Sequence, residues 1–190
     1  MIKLIMSAFV LIVGSVYGIE PPSSFNGLKF GSDSAKVYKV FPASENQKHK
    51  VLRRTSGVSG VAQYTLVYPK GVVDSASLYF VGNRFAMAVE YWYPGADFME
   101  KATQTLSAKY GTLVRSAASS YIRRDGDYCV RLTWSESDKR AVVSYFSVPL
   151  SAKLQEKVSA SIPDEGKIID STITALEKEL KKLDSEASTK

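Results

Sequence analysis

Side chains that could act as nucleophiles, general bases or transition-metal ligands are scarce in this sequence. His49 is the only histidine and Cys129 the only cysteine among 190 residues. A Ser/His/Asp or Cys/His site would have to use His49, which lies between Lys48 and Lys50 with no carboxylate close in sequence. We interpret His49 as a solvated loop residue, and for Cys129 we favour a buried, inert thiol over a reactive one. The sequence therefore predicts no catalytic residue.

Metal and cofactor sites also lack a recognisable pattern. One histidine and one cysteine do not supply a transition-metal ligand set of familiar spacing. The acids Asp164, Glu165 and Asp170 lack the alternation and central glycine of a calcium loop. Asp125 and Asp127 flank a glycine and are better explained by a hairpin turn. Since no glycine-rich phosphate loop is present either, we predict no metal and no cofactor.

Positive charge is concentrated in one short segment. Four of the seven residues from 48 to 54 are basic: Lys48, Lys50, Arg53 and Arg54. The whole chain has a net charge of +6, and residues 151–190 have a net charge of −1, so the basic part precedes this tail. Basic surfaces attract nucleic acid, anionic lipid and acidic polymers. We predict that these four residues form an anion- or partner-binding surface on a polar loop over 43–60.

Aromatic residues form a second candidate contact surface. Tyrosines are frequent between residues 64 and 93, and strand alternation places Trp92 opposite Tyr91 and Tyr93. Exposed aromatics on a rigid sheet can stack on sugars or receive a peptide. We favour the alternative that most of them fill the core and rim of a sheet. Trp92 is the residue we expect to make an aromatic contact with a partner.

The N-terminus has the three parts of a secretory signal peptide. A positive start at Lys3 is followed by an apolar run from Leu4 to Val13 and by small residues up to Gly18. We predict cleavage after Gly18, because Val16 and Gly18 fit the positions three and one before a cut. The alternative of a retained anchor is disfavoured, because the apolar run is short for the roughly 20 residues of a spanning helix. No cysteine near the cut could accept a lipid. The mature chain is then expected in the periplasm of a two-membraned source, or secreted, with no stable membrane anchor.

The strands and helices predicted around these residues indicate an α+β fold. The clearest period-two pattern is Arg84 to Tyr93, where Phe85, Met87 and Val89 fall on one face. Asp97 can cap a helix that runs to Tyr110. With the remaining strands and turns, the order is roughly β-α-β-β-β-α-β-β-β-α, which indicates an antiparallel sheet with helices packed on one face. We divide the chain into a signal peptide (1–18), a linker (19–24), one domain (25–150) and a charged helical tail (151–190).

The tail contains an amphipathic helix with a heptad-like seam. Its apolar residues are spaced by four and three positions and include Ile169, Ile173, Leu176, Leu180 and Leu183. A seam of roughly 20 residues is short for an isolated coiled coil. Two interpretations stay open: the helix packs back on its own domain, or it joins copies of the chain into a homo-oligomer.

Three short motifs carry a resemblance to known proteins. They are Phe25-Asn26-Gly27-Leu28-Lys29-Phe30-Gly31, Gly82-Asn83-Arg84-Phe85 and Lys109-Tyr110-Gly111. Over about residues 25–147 the chain resembles a family of small exported bacterial α+β domains of uncharacterised function. More distantly, it resembles periplasmic outer-membrane-assembly lipoproteins and β-lactamase-inhibitor-like folds, without their lipid-accepting cysteine or cysteine pairs. The resemblance implies turns, caps and core aromatics, and no activity.

These observations favour a binding protein over an enzyme. We predict an exported, non-catalytic binding or scaffolding protein of the bacterial cell envelope, whose partner is an envelope protein or an anionic envelope polymer. Export disfavours nucleic acid as the partner. An oligomeric structural or assembly subunit that uses the tail helix is the alternative. An enzyme with a site of dispersed carboxylates and hydroxyls is the third and weakest interpretation.

Overall fold

The computed structural model describes residues 21–42, 50–54, 56–69, 71–95, 97–117 and 120–161. Within them the chain is α+β, as predicted, with a two-stranded and an eight-stranded antiparallel sheet and three α-helices. Several predicted features lie outside the described residues and are named here together: the signal peptide, Lys48, His49, and the seam residues Ile169, Ile173, Leu176, Leu180 and Leu183.

The elements follow one another with short connections. The strands are β1 (Ser24–Phe25), β2 (Leu28–Lys29), β3 (Lys50–Arg54), β4 (Val61–Val67), β5 (Val73–Val81), β6 (Arg84–Trp92), β7 (Val114–Ala117), β8 (Ser120–Asp125), β9 (Tyr128–Ser135) and β10 (Arg140–Ser147). A 3-10 turn (Ser34–Lys36) leads into α1 (Val37–Val40), and the longer helices are α2 (Asp97–Tyr110) and α3 (Val148–Ser159). The bounds of α2 agree within one residue with the prediction, in which Asp97 caps a helix that runs to Tyr110.

The large sheet consists of two four-stranded meanders joined at their last strands. β3 to β6 form one meander, β7 to β10 form the other, and β6 pairs with β10. The strand order is therefore β3-β4-β5-β6-β10-β9-β8-β7, with β3 and β7 as the two edge strands. Glu90 of β6 faces Val143 of β10 at this central seam.

Local sequence explains how the chain enters the sheet. Asn26 and Gly27 have φ angles of 46° and 87°, so the β1–β2 hairpin turns through two left-handed residues, as a tight hairpin requires. The side chain of Asp33 accepts a hydrogen bond of 2.7 Å from the backbone N–H of Ala35. Asp33 thereby caps a 3-10 turn, which is followed by a single turn of α-helix.

Helices cover both faces of the large sheet. We call the face of Val130 and Leu132 the first face; these residues join the same apolar cluster as Leu106 of α2. The second face carries Cys129, which joins a separate cluster with Leu154 of α3. The prediction of helices on one face holds for α1 and α2, whereas α3 covers the second face. The reason is that α3 follows β10 directly and has its own apolar stripe.

One irregularity in β6 changes the predicted alternation. The register between β5 and β6 shifts next to Tyr79, so the residues of β6 on either side of the shift do not keep a strict period of two. Phe85 therefore lies on the first face, whereas Met87 and Val89 lie on the second. The prediction that placed these three side chains on one face is wrong. The alternation of residue types along a sequence does not reveal a β-bulge.

The helix α3 crosses the boundary that the sequence placed after residue 150. Its buried residues are Ser151, Leu154 and Val158, and the last two belong to the second-face cluster. This helix is thus packed against the sheet over its described length. In the part of the chain that the structure describes, no helix combines the length and apolarity needed to cross a membrane.

Candidate functional site

The basic segment lies at one edge of the large sheet. Lys50, Arg53 and Arg54 belong to β3, and Arg53 pairs with Tyr64 of β4. The prediction of a loop over 43–60 is therefore wrong for residues 50–54. Pairing with β4 satisfies one side of the backbone, and Val51 packs against the first-face cluster, while the charged side chains project into solvent at the edge. Lys48, the fourth predicted residue, lies outside the described residues.

The three cations of β3 flank the sheet edge from both faces. Successive strand residues point to opposite faces, so Arg53 lies on the first-face side, and Lys50 and Arg54 lie on the second-face side. All three side chains are exposed. Among the described residues, none of the three makes a side-chain hydrogen bond or ion pair. Their donors are available to a ligand that approaches the edge.

A groove opens beside the end of β3. It has a volume of about 460 Å³ and is lined by Arg53, Arg54, Ser56, Val61 and Ala62. The two guanidinium groups supply donors for carboxylate or phosphate oxygens in a planar, forked geometry. The valine and alanine supply apolar surface. The lining therefore offers recognition of an anionic group next to a small apolar group.

Backbone contacts hold the wall of this groove. Val58 is only 5% exposed and packs in the second-face cluster. Its N–H donates a hydrogen bond of 3.1 Å to Ser56 Oγ, and its carbonyl accepts one of 3.2 Å from the N–H of Val61. The carbonyl of Gly60 accepts a hydrogen bond of 2.9 Å from the N–H of Gly82. The groove is thus pre-formed by a loop that is anchored to the sheet.

A different kind of chemistry occurs at the central seam. Glu90 is only 8% exposed, and Tyr145 Oη donates a hydrogen bond of 2.9 Å to its carboxylate. Burial raises the pKa of Glu90 to about 7, although the Tyr145 hydrogen bond and the charge of Lys109 oppose this rise. Burial and the Glu90 charge raise the pKa of Tyr145 well above its ordinary value. Neither residue was predicted from the sequence, because the only signal was one acid in an apolar strand.

The environment of Trp92 does not fit a contact surface. Its side chain is 4% exposed and packs edge-on against Phe98, with the ring centroids 6.4 Å apart. Within the described part of the chain, the indole N–H has no hydrogen-bond acceptor at normal geometry, although the proximity of Trp92 lowers the pKa of Glu90. The prediction of a partner contact at Trp92 is wrong, because the face opposite Tyr91 is the first face, which α2 covers.

The remaining candidate side chains are placed as follows. Cys129 is fully buried on the second face, which confirms the predicted burial of its thiol. Over the described ranges, no group of three or more His, Cys, Asp or Glu side chains could hold a metal ion. Two groups of side chains could bind a ligand or exchange a proton. The β3 groove is open to a partner, and the Glu90–Tyr145 pair is enclosed in the core.

Comparisons of the chain with protein-family models, with curated proteins and with solved structures found no match. The resemblance based on Phe25–Gly31, Gly82–Phe85 and Lys109–Gly111 therefore stays a prediction. The three motifs are nevertheless found at structurally defined points. Asn26 and Gly27 form the β1–β2 turn, Gly82 and Asn83 form the β5–β6 turn, and Tyr110 ends α2.

Proposed function

We propose that this chain is an exported, non-catalytic binding protein that recognises an anionic partner at the groove beside β3. The observation that carries the proposal is the position of Arg53 and Arg54 beside Val61 and Ala62 in one groove at a sheet edge. Neither guanidinium is used by another described side chain. The predicted signal peptide supports a partner in the cell envelope or outside the cell, which is an envelope protein or an anionic polymer.

The character of the lining supports binding over catalysis. Arginine remains charged at every physiological pH, so neither guanidinium can exchange a proton with a substrate. Ser56 Oγ accepts a hydrogen bond of 3.1 Å from the backbone N–H of Val58.

Fluorescence anisotropy of labelled polyglutamate, titrated with the mature chain, measures binding and tests the proposal. We compare the wild type with Arg53→Gln/Arg54→Gln and with Lys153→Gln/Lys157→Gln, a control that removes the same charge from exposed positions of α3. Each exposed ion pair contributes about 0.2–1 kcal/mol, so loss of both arginines should weaken binding roughly 2- to 30-fold. Binding should also weaken as salt rises, because exposed charges are screened over about 8 Å at physiological ionic strength.

Two results would contradict this function. The first is that the wild type does not bind the polyanion at low salt. The second is that the arginine and lysine double variants lose the same affinity, because binding would then follow net charge and not the groove.

A further inference from the structure

We propose that the anionic partner is an extended, acidic polypeptide segment that adds a ninth strand to the outer edge of β3. This inference rests on the proposed function and deepens it, since it names the class of partner and the way in which the partner is held. It is carried by three features of the same edge: a regular strand, cations on both faces, and a groove at its end whose mixed lining includes Val61 and Ala62.

The regularity of β3 makes its backbone suitable for strand addition. All five residues pair with β4, from Lys50 opposite Val67 to Arg54 opposite Gln63, without a register shift. Within the described ranges, β4 is the only strand that pairs with β3. Alternate N–H and C=O groups of an edge strand point away from the sheet and can pair with another chain. The backbone of β3 therefore offers a ladder to an extended segment.

The positive charges of β3 determine which partner strand can bind beside it. An added strand would place neighbouring side chains on opposite faces, next to Arg53 on the first-face side and next to Lys50 and Arg54 on the second-face side. Opposite charges across strands are favourable, and like charges directly opposite one another are unfavourable. A second copy of β3 is therefore a poor partner, and a segment with adjacent acidic residues is a good one.

The groove adds a further selective element. Ser56, Val61 and Ala62 lie beside Arg53 and Arg54 at the end of the strand. A side chain of the added segment that passes this point can bury apolar surface against Val61 on the second-face side or against Ala62 on the first-face side. The expected ligand is thus an extended peptide in which an apolar residue stands next to an acidic pair. An anionic polysaccharide or polyphosphate would use the charges but not the backbone ladder.

Backbone N-methylation of a peptide tests the ladder without altering the protein. The parent probe is a labelled Thr-Val-Glu-Glu-Val-Thr-Val peptide. Two derivatives carry N-methyl groups on one or the other set of alternate residues. Only one set of N–H groups can face β3, so one derivative should lose about tenfold in affinity or more, and the other should bind nearly as well as the parent. Both derivatives should bind the Arg53→Gln/Arg54→Gln variant more weakly than they bind the wild-type protein.

The outcomes separate failure of this inference from failure of the proposed function. If both derivatives bind like the parent while the arginine variant still binds weakly, the groove recognises anions and strand addition is refuted. If polyphosphate binds more tightly than the parent peptide and competes with it, an anionic polymer is the partner and the inference is likewise refuted. If neither the peptide nor polyglutamate binds the wild type, the proposed function itself fails.

Discussion

The two edge strands of the large sheet occupy corresponding positions in two similar meanders, yet they differ in length, regularity and charge. β3 has five residues in continuous register with β4 and carries three exposed cations. β7 has four residues, and its register with β8 shifts between Arg115 and Ala117. A short, bulged edge resists pairing with any strand. A charged edge resists only strands of the same charge, so the comparison assigns recognition to β3.

The first prediction tests whether the two meanders form one folding unit behind these different edges. Leu66 of β4 and Leu132 of β9 are both fully buried in the same first-face cluster. Replacement of either by alanine should lower the free energy of unfolding by about 2–5 kcal/mol, because each leaves a cavity in a shared core. Chemical denaturation should show one transition in both variants. Two transitions, with only one affected by each change, would show that the meanders unfold separately.

The second prediction concerns Glu90, at the β6–β10 pairing that joins the two meanders. The pKa of Glu90 is about 7 in the folded protein, against an ordinary value of 4.5. Between these values the folded protein keeps a proton that the unfolded chain has lost, so stability is fully present below pH 4.5 and falls as the pH rises through 7. The fall should be roughly 3 kcal/mol, at about 1.4 kcal/mol per pH unit. Denaturation curves across this pH range measure it.

Two variants identify the group responsible for this pH dependence. Glu90→Gln cannot ionise, so the difference in stability between wild type and variant should decline over the same pH range. Tyr145→Phe removes the hydrogen bond that lowers the pKa of Glu90, and the fall should move to higher pH. A wild type and Glu90→Gln variant with parallel pH profiles would show that this carboxyl does not control the stability of the seam.

The third prediction separates recognition from stability at β3. Arg53→Gln/Arg54→Gln should change the free energy of unfolding by less than about 0.5 kcal/mol per site, because both side chains are exposed. The same variant should lose the affinity for acidic ligands described above. Thermal denaturation, compared with Lys153→Gln/Lys157→Gln, checks the first part. A loss of several kcal/mol would mean that the arginines hold the fold and that weakened binding is a secondary effect.

The smallest effect is expected at the opposite edge. Val114 of β7 is 55% exposed, so Val114→Thr should change stability by less than about 0.5 kcal/mol. It should leave the affinity for the acidic peptide unchanged, because a short and bulged strand is not expected to accept a partner. A clear loss of peptide affinity in this variant would reverse the assignment of recognition to β3.

Much of the fold could be predicted because its patterns are local. The helix from Asp97 to Tyr110 follows from an acidic residue at its start and an apolar stripe, and the capping role of Asp33 is typical of its residue type. The strand β3 was missed because its sequence is mostly basic and shows no alternation. A strand at a sheet edge does not need alternation, since its exposed residues can be charged on both faces.

The candidate site could be predicted only in part. Arg53 and Arg54 stand out by charge, but the groove depends on Val61 and Ala62, which come close only when β3 pairs with β4. Trp92 was placed on the correct side of its strand, yet the sequence could not show that α2 covers that side. Burial and long-range pairing are tertiary properties, and residue types alone do not encode them in a readable pattern.

Amide hydrogen exchange measured by NMR, with and without the acidic peptide, tests the central claim most directly. Addition of a ninth strand should slow exchange at alternate amides between Lys50 and Arg54, because those N–H groups gain partners. Exchange between Val114 and Ala117 should stay unchanged. Protection confined to β7, or peptide binding without any protection in β3, would contradict the proposal that β3 is the recognition edge.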